Sequence, residues 1–262
     1  MKNNKLGYRS LAGLAGILII VLYFLPVWWV ALQSIQYPKS MYPNGIRINF
    51  KYNGVYNGCE GQKEREELSA SQEGANCLVE MNAINHFIGM YHIVQGVNSD
   101  ETRRFPIYYV FNTKHDAQGN EIINPETGKP IEVNVTPGAL IFLDKIMHAS
   151  PYIFAVFVLL VVGFMFCKRK KLWMAIIPAL VPFYFLGVYI YYLYWYGHHL
   201  SMHGGGAFRG IKPFMPTVFG EGKVAQFTTS SYPYYGFLVG LLVFVLLIIA
   251  VLLKQKSIKS EK

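Results

Sequence analysis

Four long apolar runs, none broken by Asp, Glu, Lys or Arg, decide most of what this chain can become: residues 11–32, 151–167, 172–195 and 235–253. Crossing a hydrocarbon core of ~30 Å takes about 20 apolar residues, and a charge at membrane depth is costly, so each run reads as a span and not as a core helix. The second is close to the short limit, and Ser150-Pro151 gives it a helix start, a capping hydroxyl followed by proline at the first position. With 53% of residues hydrophobic and only 15% charged, an ordinary soluble domain is excluded.

The net charge of +9 would suit nucleic acid in a soluble protein, but here much of it is clustered against the apolar runs, so no nucleic-acid partner is expected. Lys2, Lys5 and Arg9 precede the first run, Lys168, Arg169, Lys170 and Lys171 separate the second from the third, and Lys254, Lys256 and Lys259 follow the fourth. Four spans place all three clusters on one side, which the positive-inside rule makes the cytoplasm. The expected fold is an α-helical membrane protein with four transmembrane helices and a mixed α/β extracytoplasmic domain, in a bacterial cytoplasmic membrane with both termini inside. Its parts are an N-terminal anchor helix (1–33), read as uncleaved, the extracytoplasmic α/β domain (34–150), and the second and third spans with their basic loop 168–171 (151–195). A His/Met-containing outer loop (196–234) and the fourth span with its basic tail (235–262) complete the chain. Trp28, Trp29, Tyr191, Tyr192, Tyr194 and Trp195 fit an aromatic belt at the outer interface.

Within the first outer loop, residues 46–52 alternate apolar with polar and predict a half-buried strand, followed by turn chemistry at Asn53-Gly54 and Asn57-Gly58. Residues 79–90 read as a short helix, 107–111 as a strand centre, 115–138 as a turn-rich surface hairpin and 139–147 as an interfacial or ectodomain helix leading to His148 and the second span. Pro178 and Pro182 predict a kink or local unwinding in the third span. The second outer loop carries little charge for its length, which suggests packing on the first; a loop lying on the membrane would look the same. Cys59 and Cys77 share the large loop and can pair in an oxidising compartment, closing a loop worth about 3 kcal/mol, or act as two thiolate ligands.

The candidate chemistry is in histidine and methionine. The string 195–206 sets His198, His199, Met202 and His203 just where the third span ends, and His86 and Met90 stand one turn apart if 79–90 is helical. Imidazole with thioether suits copper, Cu(I) above all, better than cations that want oxygen ligands. The plainer alternative is an interfacial segment and a short amphipathic helix that bind no metal. The spans carry no axial histidine for a haem, no ionisable group for an ion-coupled transporter, and the chain has no serine elbow or HExxH for hydrolysis.

Tyr37-Pro38 after a tryptophan-bearing first span, the string Ile84-Asn85-His86-Phe87-Ile88-Gly89-Met90, Tyr196-Gly197-His198, and Pro213-Phe214-Met215-Pro216 with Gly220 resemble a family of bacterial four-span proteins associated with nitrous oxide reductase (Nos) maturation. The insert between Gly58 and Cys77 and the Ser201-Met202-His203 continuation depart from its pattern. The resemblance implies a non-enzymatic accessory role outside the cytoplasmic membrane, in copper handling for the reductase or its maturation proteins. Two other classes stay open: a structural or interaction subunit with no metal, and a permease component, which a polar cavity near Pro178 and Pro182 would favour.

Overall fold

In the computed structural model of the chain, residues 2–35, 45–58, 93–94, 111–134, 138–167, 171–199, 212–224 and 227–259 are described. Five helices and eight strands are found among them: α1 (Lys2–Phe24), β1 (Trp28–Gln33), β2 (Ile46–Lys51), β3 (Gly54–Asn57), β4 (Ile93–Val94), β5 (Phe111–Thr113), β6 (Glu132–Asn134), α2 (Gly138–Phe166), α3 (Trp173–Ala179), α4 (Val181–His199), β7 (Gly220–Val224), β8 (Phe227–Pro233) and α5 (Tyr235–Lys259). Three helices, α1, α2 and α5, are long and apolar enough to cross a membrane, and α3 with α4, bent by 44°, add a fourth if the pair is one span.

Proline decides the helix boundaries, with a different result each time. The first helix was expected to run through residue 32, but it stops at Phe24, because Pro26 cannot extend the hydrogen-bond ladder and biases Leu25 away from helical geometry. Trp28 to Gln33 then form a strand, so buried Trp28 belongs to the packed interior and not to an interfacial belt. Pro151 was expected to begin a helix and instead lies inside α2, joining 139–147 to the second span. The carbonyl that Pro151 leaves without an N–H, that of Met147, is taken by the Ser150 hydroxyl at 2.6 Å, which removes much of the penalty. Pro178 and Pro182 flank the break between α3 and α4, where the expected kink is found. Helix α4 continues past Trp195 to His199, so His198 and His199 lie on its last turn and not in a loop.

Helix packing follows the small residues. On α1, Tyr8, Ala12, Ala15, Ile19 and Leu22 recur at three- and four-residue spacing and are buried against Phe154, Phe157, Val161 and Phe164 of α2 and Val243, Leu247, Ala250 and Val251 of α5. Apolar solvent gives helices little drive to associate, so close approach at small side chains has to supply it. Gly240 serves this on α5, where a Cβ would come within 3.1 Å of Pro182. Basic side chains of α1 and α5 meet the end of α2: the Arg9 guanidinium donates to Met165 O at 3.2 Å, the Lys254 ammonium to Phe164 O, and Tyr8 packs edge-on to Phe164.

A six-stranded sheet of order β4-β3-β2-β1-β8-β7 sits at the opposite end, antiparallel except for the short β3/β4 pair. Its central pairs combine both long loops, Trp28 with Phe50 on one side and Trp28 with Pro233 on the other. The second loop thus pairs with β1, a stretch expected to belong to the first span, and joins the first loop's β2 in one sheet only through it. The strand expected over 46–52 is β2, and Asn53 lies in the turn to β3. Strands β5 and β6 pair, and the chain between them makes two turns, the first held by the Asp116 carboxylate accepting the Asn120 and Gln118 amides at 2.8 and 2.9 Å. Those bonds, Asn120 first, hold its carboxyl below the usual carboxylate range. The helix expected over 79–90, most of the strand expected over 107–111, and Cys59 with Cys77 lie outside the described residues.

Candidate functional site

Alternation along the strands gives the sheet two faces. Trp28, Val30, Leu32, Ile48, Phe50 and Thr229 look toward the helices, while Trp29, Arg47 and Tyr232 belong to the other face. There the Arg47 guanidinium lies 4.6 Å from the Trp29 ring and 4.7 Å from that of Tyr234, a cation held by two aromatic faces.

The inner face is joined to α4 through one hydroxyl. Ser231, fully buried, donates to Val218 O at 2.7 Å and accepts from the Trp28 indole at 2.9 Å and from the Tyr189 hydroxyl at 3.1 Å. The β2–β3 turn reaches further: Tyr52 packs edge-on to Phe154 of α2 and Phe185 of α4 and donates to Val181 O, 3.3 Å away, at the start of α4. Burial pushes its phenol well above the ordinary tyrosine value.

Because α4 bends away from the bundle, a cleft of about 490 Å³ remains between α2, α4 and the inner face of the sheet. Phe157 and Tyr184, stacked at 6.3 Å, close its lower end, and the Tyr192 hydroxyl crosses above to Ala139 O at 2.7 Å. Lining residues Ile153 and Tyr184 are also partly exposed. Its walls are aliphatic and aromatic; among the described lining residues Lys51 alone carries a charge. Pro178 and Pro182 are both fully buried, and the cleft that neighbouring Val181 lines has mostly apolar walls.

The upper end of α4 carries the described part of the expected ligand set. His198 is exposed; its Nδ1–H donates to Tyr194 O at 2.8 Å, and its ring stacks on Tyr194 at 4.0 Å. A carbonyl can only accept, so this bond puts the proton on Nδ1 and leaves Nε2 as the lone-pair nitrogen, the form a metal ligand requires. His148 shows the same local bond, Nδ1 to Asp144 O at 2.9 Å, with the Asp144 carboxylate 3.0 Å away. His199 closes the helix, while His86, Met90, Met202 and His203 lie outside the described residues. Among the described residues no three His, Cys, Asp or Glu side chains cluster as a metal site.

Two strings that share no sequence neighbourhood come together here. Phe214 N donates to Gly197 O at 3.2 Å, and a Cβ on Gly197 would collide with Phe214 O and come within 2.7 Å of Pro216 Cδ. Tyr196-Gly197-His198 and Phe214-Met215-Pro216 thus form one crossing in which glycine gives the second segment room. The cleft and the Ser231 junction escaped sequence reasoning, because residues 181–196 look uniformly apolar and only the bend at Leu180 separates a lipid-facing side from a cleft-facing one. No family model, curated protein or solved structure matches the chain.

Proposed function

We propose that the chain is a non-enzymatic accessory protein of a bacterial cytoplasmic membrane, with its basic helix ends inside, that binds or relays copper on the outer face in support of nitrous oxide reductase or its maturation proteins. The observation that carries this reading is His198, exposed at the end of α4 with its Nδ1–H bonded to Tyr194 O. β4 begins at Ile93, directly after the 86–92 string, and pairs with Val55 of β3. Val55 lines the same cleft as Trp195 and Tyr196, the residues that lead into His198. We take His86, Met90, Met202 and His203, all outside the described residues, as the ligands that would join His198 and His199. His198 supports the reading through its fixed tautomer, and thioethers fit an ion that is to be released again.

Competition between the purified protein and a Cu(I) chelator tests it. Wild type is expected to take up Cu(I), and His198→Ala and His86→Ala should each weaken uptake by ~10–100-fold or more, the loss typical of disturbing even an outer-shell partner. No Cu(I) uptake by the wild type removes the copper claim.

A second reading has its own observation. The Gly197–Phe214 crossing and the His198–Tyr194 stack are packing contacts in their own right, as expected of a structural or interaction subunit without metal. On that reading the same substitutions lower stability or complex yield and leave metal content unchanged.

A further inference from the structure

We infer that Arg47, on the face of the sheet turned away from the cleft, seats the phosphate of a phospholipid in the leaflet at the sheet end of the helices. One acyl chain of that lipid lies on the exposed stripe of α5 below it. The first ground is a cation without a counter-charge. The Arg47 guanidinium rests on the Trp29 and Tyr234 rings, and its Nε is buried with no hydrogen-bond partner. Among the described residues no carboxylate or carbonyl accepts from the side chain. Among the described strands of the sheet only Glu221 carries a carboxylate, and the register through Ala31 and Ser230 sets it three strands from Arg47, ~14 Å at ~4.8 Å per strand. Aromatic faces hold a guanidinium but accept none of its N–H groups in its own plane, where the fork of donors fits two oxygens of a phosphate.

Depth is the second ground. From Tyr235 to Lys254, α5 rises ~28 Å at ~1.5 Å per residue with no charged residue between, close to the ~30 Å of a hydrocarbon core. With the basic helix ends at one border, Tyr234 and the guanidinium 4.7 Å from its ring stand at the other, where lipid phosphates lie. Trp29, on the strand that follows α1, reaches the same border, and Trp and Tyr are the side chains enriched at that level.

Continuity is the third. The Tyr234 and Tyr235 rings are 4.5 Å apart, so the seat adjoins the first residue of α5. From Tyr235 an exposed stripe runs down the helix through Leu238, Leu242 and Val245 at three- and four-residue spacing. A phosphate on Arg47 therefore brings its chains onto an apolar helix face that the protein leaves open.

The site is independent of the copper reading and is tested without metal. Full-length protein in nanodiscs of equal phosphatidylcholine and digalactosyldiacylglycerol is released into mild detergent, and the lipid it retains is counted by native mass spectrometry. The galactolipid has the same diacylglycerol body without phosphate, and phosphatidylcholine has no net charge to draw it to the basic helix ends. The expected result is phosphatidylcholine held in preference to galactolipid. Arg47→Gln should lower that preference several-fold, and Arg47→Lys, which keeps the charge without the fork, should lower it less. Helix content shows which variants fold. A wild type indifferent to the phosphate overturns the proposal. A preference left unchanged by Arg47→Gln, or by Arg47→Lys where the glutamine variant does not fold, places the phosphate elsewhere and overturns it equally. Displacement of the retained lipid by excess inorganic phosphate means a soluble anion site and overturns the lipid assignment.

Discussion

At the residue scale, the junction of sheet and helices depends on Ser231 more than on any large side chain. Its oxygen accepts two buried donors, from Trp28 and Tyr189, while its proton goes to Val218 O. Ser231→Ala should cost about 2–3 kcal/mol in denaturant or thermal unfolding in detergent, because a donor buried without an acceptor pays its full desolvation. Tyr189→Phe should cost about 1 kcal/mol, since only one bond is lost and no acceptor is stranded. An unaltered unfolding curve for Ser231→Ala would show that the network carries no weight. This residue was illegible in sequence, where Ser230-Ser231 looks like any polar loop pair. His198 was legible as a possible donor, but its fixed tautomer was not, since that depends on the helix continuing far enough to place Tyr194 O beneath the ring.

Among the elements, proline shows what can and cannot be read from a string. Pro26 ends a helix, Pro151 is absorbed within one, and Pro178 with Pro182 bends a third. The bend was expected; the other two were not. The outcome depends on where the stranded carbonyl finds a donor, and for Met147 that is a neighbouring hydroxyl no apolar pattern reveals. The end of α4 supplies a prediction of the same kind. Gly197→Ala puts a methyl where Phe214 O and Pro216 now lie, and both are held by backbone, so the 212–217 segment has to move. We expect a loss of about 1–3 kcal/mol, as for overpacking a well-fitted interior. Faster amide exchange at Phe214 should accompany it, and unchanged exchange there would place the crossing elsewhere.

For the molecule as a whole, the pattern of apolar runs and basic clusters already implied that both long loops share one side, and the sheet gives that implication a mechanical form. β1 follows α1 directly and β8 leads directly into α5, and the two strands pair over six residue positions from Trp28 opposite Pro233 to Gln33 opposite Thr228. Gly236 N reaches back to Pro26 O at 2.9 Å, so α1 and α5 enter the sheet side by side. What the pattern could not reveal is that a strand near the N-terminus would find its partner some 200 positions later, because pairing at such separation depends on the helices first bringing the ends together. A protease site inserted between Gly204 and Gly205 tests the arrangement. Added protease should cut it in intact spheroplasts, since the 200–211 segment connects two elements on the sheet side. After cutting, residues 1–204 and 205–262 should still co-purify in mild detergent, held by β1 on β8 and α1 on α5 without a covalent link. Cutting only after permeabilisation would invert the topology. Fragments that part on solubilisation would mean that the strand pairing and the shared helix core are too weak to unite the two loops, and a ligand site drawn from both would lose its foundation.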